Sequence, residues 1–123
     1  MDECGAVLLI EDDENVKQVV SEMLAEIGYA VTACESAEQA VEQLNSGRAY
    51  DVIVTDVIMP GTSGLELSTL VRRWRPHTPI VLITGKADGV ESAVEDGFIP
   101  LVKPFTTEQL RVALADALRP DAS

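Results

Sequence analysis

Short runs of consecutive apolar residues alternate along this chain with stretches in which apolar residues recur every third or fourth position. The runs are Ala6 to Ile10, Tyr29 to Cys34, Val52 to Val54 closing at Thr55 or Asp56, Ile80 to Thr84, and Phe98 to Val102. The unbroken aliphatic and β-branched runs at Ala6 to Ile10, Val52 to Val54 and Ile80 to Thr84 predict buried parallel strands, and Tyr29 to Cys34 and Phe98 to Val102 are further strand candidates. Pro100 inside the last run lacks a ladder donor and predicts an edge position or a bulge.

Between these runs the period changes. Val16, Val19, Val20, Met23, Leu24 and Ile27 mark one helix face, with Asp13 as its N-cap, Glu14 in its first turn and Gly28 as its stop. Ser36 with Gln39, and Thr106 with Gln109, are capping-box pairs that open two more helices. The first carries Ala37, Ala40, Val41 and Leu44 before Asn45 to Gly47; the second carries Leu110, Ala113, Leu114, Ala117 and Leu118. A helix from about Gly64 places Leu67, Leu70, Val71 and Trp74 on an apolar side, with Trp74 in the core, and stops at Pro76 and Pro79. Asp88 to Asp96 is a weaker helix with Val90, Ala93 and Val94, closed by Gly97.

Five strands alternating with five helices predict an α/β fold: a flavodoxin-like three-layer sandwich around a parallel sheet of order 2-1-3-4-5. A single domain over residues 1–123 is expected, with its core over about residues 5–119. That order sets the ends of the first and third strands side by side. Glu11 and Asp12 then meet Asp56, and the fourth and fifth strands bring Thr84 and Lys103 to the same rim.

Charge narrows the function classes. A net charge of −12 with only 9 Lys plus Arg argues against direct nucleic-acid binding, and 46% hydrophobic residues argue against disorder. Cys4 and Cys34 fit no disulfide or metal spacing and read as reduced thiols of a cytoplasmic protein. Neither a signal peptide nor a membrane-inserted span is expected from the apolar pattern.

IEDDE after AVLLI, then VTDVIMPGTSG, LITGKA and LVKPF, in this order and each at a strand end, resemble the receiver domain of two-component response regulators and hybrid histidine kinases. The resemblance covers essentially the whole chain. It implies that Asp56 is the phosphoacceptor and that Mg2+, with Mn2+ able to replace it, is held by Glu11, Asp12, Asp56 and the backbone carbonyl of Ile58. It further implies that Lys103 and the Thr84 hydroxyl meet phosphoryl oxygens. The donor would be a phosphohistidine on a histidine kinase or histidine phosphotransfer domain. The implied activity is a switch or relay, not an enzyme: only self-directed phosphoryl transfer and autodephosphorylation are expected.

The residue types suit that chemistry. A carboxylate attacking a phosphoryl group is an anion approaching an anion, so positioning and charge neutralisation must lower the barrier. Mg2+ takes oxygen ligands and is typically held by one or two carboxylates plus phosphate oxygens. Simpler readings exist for each residue: Thr84 as a strand residue, Lys103 as a cation that only neutralises acids, and His77 as a surface residue. Two other functions stand beside the receiver, a phosphorylation-silent docking domain and a Mg2+-dependent phosphohydrolase. The hydrolase lacks an acid two residues after Asp56, where Ile58 stands.

Pro100 occupies the position where many receivers carry a switching aromatic, and the 18 residues between Thr84 and Lys103 are fewer than usual. An aromatic switch and a stable dimer through that face are therefore not expected, leaving a monomer or weak dimer. The pattern resembles receivers of hybrid kinases or stand-alone relays.

Overall fold

The computed structural model describes residues 5–57, 63–85, 87–95 and 100–118. Its elements are β1 (Gly5–Ile10), α1 (Glu14–Ile27), β2 (Tyr29–Cys34), α2 (Ala37–Asn45) and β3 (Val52–Asp56), then α3 (Gly64–Trp74), β4 (Ile80–Thr84), α4 (Ala87–Glu95), β5 (Leu101–Val102) and α5 (Thr107–Ala117). All four strand pairings are parallel and the order is β2-β1-β3-β4-β5, as the sequence predicts.

The unbroken apolar runs follow from burial on both faces. Alternate residues Val7, Leu9, Val52, Val54, Val81 and Ile83 pack beneath Val20 and Leu24 of α1 and Leu110 and Leu114 of α5. The intervening Leu8, Ile10 and Ile53 face Ala40 and Leu44 of α2 and Leu67 and Val71 of α3. A smaller cluster of Val57, Leu82 and Ala93 seats α4. Neither face of the central strands meets solvent, so neither tolerates polar residues.

Caps fix where the helices start. Asp13 accepts from the Val16 N–H as the N-cap of α1, and the Thr106–Gln109 capping box is complete. At α2, Ser36 accepts from Gln39, but the Gln39 side chain accepts from the Glu35 N–H instead of closing the box on Ser36. Ser63 with Glu66, a pair beyond those expected from the sequence, forms a complete capping box at α3.

Three expectations need correction. Trp74 is 50% exposed: it is the last residue of α3, one turn beyond the buried Val71, and the chain turns away at Arg75. Val19 is also 50% exposed, because the apolar stripe of α1 is wider than the surface that the sheet and α5 cover. The fifth strand is confined to Leu101–Val102, with Pro100 outside it. Cys4, Ile58, Pro60, Gly61, Asp96, Gly97 and Phe98 lie outside the described residues.

The start of β1 depends on one glycine. Gly5 has φ +117°, and a Cβ there would lie 2.3 Å from an Asp51 carboxylate oxygen. That oxygen accepts from the Ala6 N–H at 2.7 Å, and the Asp51 N–H donates to the Ala6 carbonyl at 2.8 Å. Gly5→Ala should therefore cost about 2 kcal/mol, combining backbone strain with a displaced hydrogen bond, and chemical denaturation reads it directly.

Candidate functional site

The sheet order explains why distant acids meet. Ile10 pairs with Thr55 across β1 and β3, so the next residue of each strand, Glu11 and Asp56, lies at the same rim. Carboxylate oxygens of Glu11, Asp12 and Asp56 all fall within 4.8 Å of one another. On the other side of β3, Asp56 is in register with Ile83 and Thr84 with Val102, and the Lys103 N–H donates to the Thr84 carbonyl at 2.8 Å. Thr84 is buried at this edge, and the Lys103–Pro104 peptide bond is cis.

Lys103 closes the cluster. Its Nζ donates to Asp56 Oδ2 at 2.8 Å and to Glu11 Oε1 at 2.9 Å. Glu11 is held at both ends of its carboxylate, since Oε2 accepts from the Asp13 N–H at 3.1 Å, and its own N–H donates to the Cys34 carbonyl. Asp12 is exposed while Glu11 and Asp56 are buried, so the cluster meets solvent at Asp12.

The electrostatics follow from burial. Glu11 is 1% exposed, and that desolvation lifts its carboxyl above the usual range despite the Lys103 ammonium beside it. Burial works against the charge of Lys103 too, but hydrogen bonds to Asp56 and Glu11 outweigh it and hold the ammonium above its ordinary value. One cation thus serves two acids.

The residues present suit a hard divalent cation. Three carboxylates supply oxygen donors, and the exposed side at Asp12 leaves room for retained waters. Ile58, whose carbonyl the sequence reading adds to this set, lies outside the described residues. Cys34 is a buried thiol pushed up to about 11 by desolvation, unsuited to nucleophilic or soft-metal chemistry. His77 lies exposed in the loop between α3 and β4, away from the cluster.

The sequence reading did not identify the border of this rim. Val16, Val19 and Met23 of α1 line an apolar groove with Pro104 and Phe105, and Lys103 lines it too. The signal was present in the α1 stripe, whose spacing does not separate core positions from groove positions.

The response regulator receiver domain family matches residues 7–115. The response regulator protein FleR of Pseudomonas aeruginosa is 37% identical over 107 residues, which are 85% of this chain and 22% of that protein. The transcriptional regulatory protein YrkP of Bacillus subtilis is 29% identical over 92% of this chain and 49% of its own length. The chain thus spans about half or less of these curated relatives. Among solved structures, a response regulator receiver protein from Sinorhizobium medicae WSM419 is 34% identical with a TM-score of 0.81, covering 92% of this chain and 93% of that one. A receiver domain protein from Clostridium thermocellum is 25% identical with a TM-score of 0.84, over 92% and 93% of the two chains. With the parallel order β2-β1-β3-β4-β5 and this family matched across most of its length, the chain belongs to the response regulator receiver domains.

Proposed function

We propose that Asp56 accepts a phosphoryl group from a phosphohistidine of a partner histidine kinase or phosphotransfer domain, as a switch or relay. The observation that carries this reading is the convergence of Glu11, Asp12 and Asp56 within 4.8 Å, with Lys103 bonded to two of them. In the transfer, a carboxylate oxygen of Asp56 forms a bond to phosphorus while the imidazole N–P bond breaks. The imidazole nitrogen keeps the electron pair and takes up a proton.

Glu11, Asp12 and Asp56 would hold Mg2+, which would neutralise charge on the phosphoryl oxygens. The chain's own groups do the rest. Glu11 is locked by the Asp13 N–H and Lys103, so it keeps its place as charge builds nearby. The Lys103 ammonium can follow one phosphoryl oxygen without leaving the rim, and Thr84 lies at the same edge to receive another. The apolar groove that Lys103 shares with the Asp56 cluster gives a donor-bearing partner a surface to rest on. The domain then acts as a self-modifying acceptor, with phosphoryl transfer and autodephosphorylation both confined to Asp56.

Incubation with Mg2+ and acetyl phosphate, followed by intact mass measurement, tests the proposal. One phosphoryl mass should be gained, released again by mild base, and absent in Asp56→Asn. An unchanged mass with every small phosphodonor and with a phosphorylated histidine partner favours the silent docking domain. Persistence of the gain in Asp56→Asn moves the acceptor elsewhere.

A further inference from the structure

The chain is strongly acidic, yet its cations are not evenly spread. From Leu67 to Ala87 there is no Asp or Glu, and Arg72, Arg73, Arg75 and His77 surround the only Trp of the sequence. Because α3 leaves the Asp56 rim and runs back to the start of β4, residues 72–77 lie at the opposite end of the sheet. The α2–β3 connection reaches the same end and brings Arg48: the Arg75 guanidinium donates to the Arg48 carbonyl at 3.3 Å and also to the Leu44 carbonyl.

The acids nearest in sequence are engaged elsewhere: Glu66 accepts from the Ser63 N–H, and Asp51, nearest to Arg48, accepts from the Ala6 N–H. Arg48 has only a long contact with Thr32 Oγ1 at 3.5 Å, and both Arg48 and Arg73 are exposed. Among the described residues neither forms a salt bridge with a carboxylate. Trp74, next to Arg73 at the end of α3, is half exposed. Arg72 and Arg73 do complement the carbonyl end of α3, but that role requires neither the aromatic ring nor Arg48.

We propose that this Arg–Trp surface docks an acidic, partly apolar segment of a partner protein. Planar guanidinium forks pair with carboxylates in two-point geometry, and an exposed indole adds a desolvating contact. At physiological salt, fields decay over about 8 Å, so the acids of the far rim do not cancel the patch locally. They do oppose a long polyanion lying across the molecule, which favours a short carboxylate segment over nucleic acid.

The single Trp is the built-in reporter. Titrating the full chain with a short peptide of Glu, Asp and Leu should shift Trp74 emission to the blue and saturate, with affinity falling as salt rises. Arg73→Glu should weaken binding about tenfold, with only the small loss of melting temperature that follows from a reversed charge at the carbonyl end of α3, and Arg48→Glu should weaken it likewise with an unaltered melting curve. The proposal is overturned by no shift, by an equal response to the Gln, Asn and Leu version of the peptide, or by indifference to both substitutions. Tighter binding of a thymidine oligonucleotide overturns it in favour of a phosphate ligand. Salt-sensitive self-association removed by Arg73→Glu overturns it in favour of a second copy.

Discussion

Lys103→Met should both destabilise the metal-free chain and slow its reaction with acetyl phosphate. The ammonium is the shared partner of Glu11 and Asp56, whose side chains are 1% and 10% exposed. Removing it leaves two desolvated carboxylates facing each other. Breaking a buried pair from one side typically costs about 3–5 kcal/mol; because the Lys103 side chain keeps 21% of its exposure, the lower end, about 3 kcal/mol, is expected.

The kinetic effect has a different origin. Charge builds on the phosphoryl oxygens during transfer, and losing one preorganised donor typically costs on the order of 100-fold to 1000-fold in rate. Two measurements separate these roles. If Lys103 only neutralises acids, the stability loss appears in urea while the phosphorylation rate at saturating Mg2+ is unchanged. The stability loss should shrink in the Glu11→Gln background, where only Asp56 is left facing the missing ammonium.

The architecture was readable because the central strands bury both faces. Their apolar runs are continuous, whereas the helices show a 3.6-residue period and carry caps such as Asp13 and Thr106. The site was readable for a related reason: strand order alone carries Glu11, Asp56 and Lys103 to one rim. Periodicity was weakest where a helix meets an edge. It puts Trp74 in the core and Val19 on the apolar face of α1, although both are half exposed, because spacing specifies a direction around the helix, not how far the covering surface extends. The isomer of Lys103–Pro104 was equally out of reach, since X-Pro bonds adopt both forms without a signature in the flanking residues. Arg75, which bonds the carbonyls of Leu44 and Arg48, acts between segments far apart in sequence that no local pattern connects.

Millimolar Mg2+ should raise the melting temperature, and neutralising one of the acids should raise it without Mg2+. Pairs of carboxylates about 4 Å apart repel by roughly 1 to 4 kcal/mol at effective dielectrics of 80 to 20. Lys103 offsets part of this for Glu11 and Asp56; Asp12 has no salt bridge among the described residues. Asp12→Asn should therefore stabilise the metal-free chain and abolish its response to Mg2+. At tenfold excess over its dissociation constant the ion contributes about 1.4 kcal/mol, or roughly 5 °C for a domain of this size. Glu11→Gln adds a pH signature. The Glu11 carboxyl sits above 4.5 in the fold, so its proton is bound more tightly there than in the unfolded chain. Its ionisation penalty is absent below about pH 4.5 and develops as pH rises through the folded value. The stability advantage of Glu11→Gln should consequently be largest near neutrality and fade on acidification. Identical melting curves with and without Mg2+, together with an Asp12→Asn variant no more stable than the wild type, would remove the basis for a cation site at this rim.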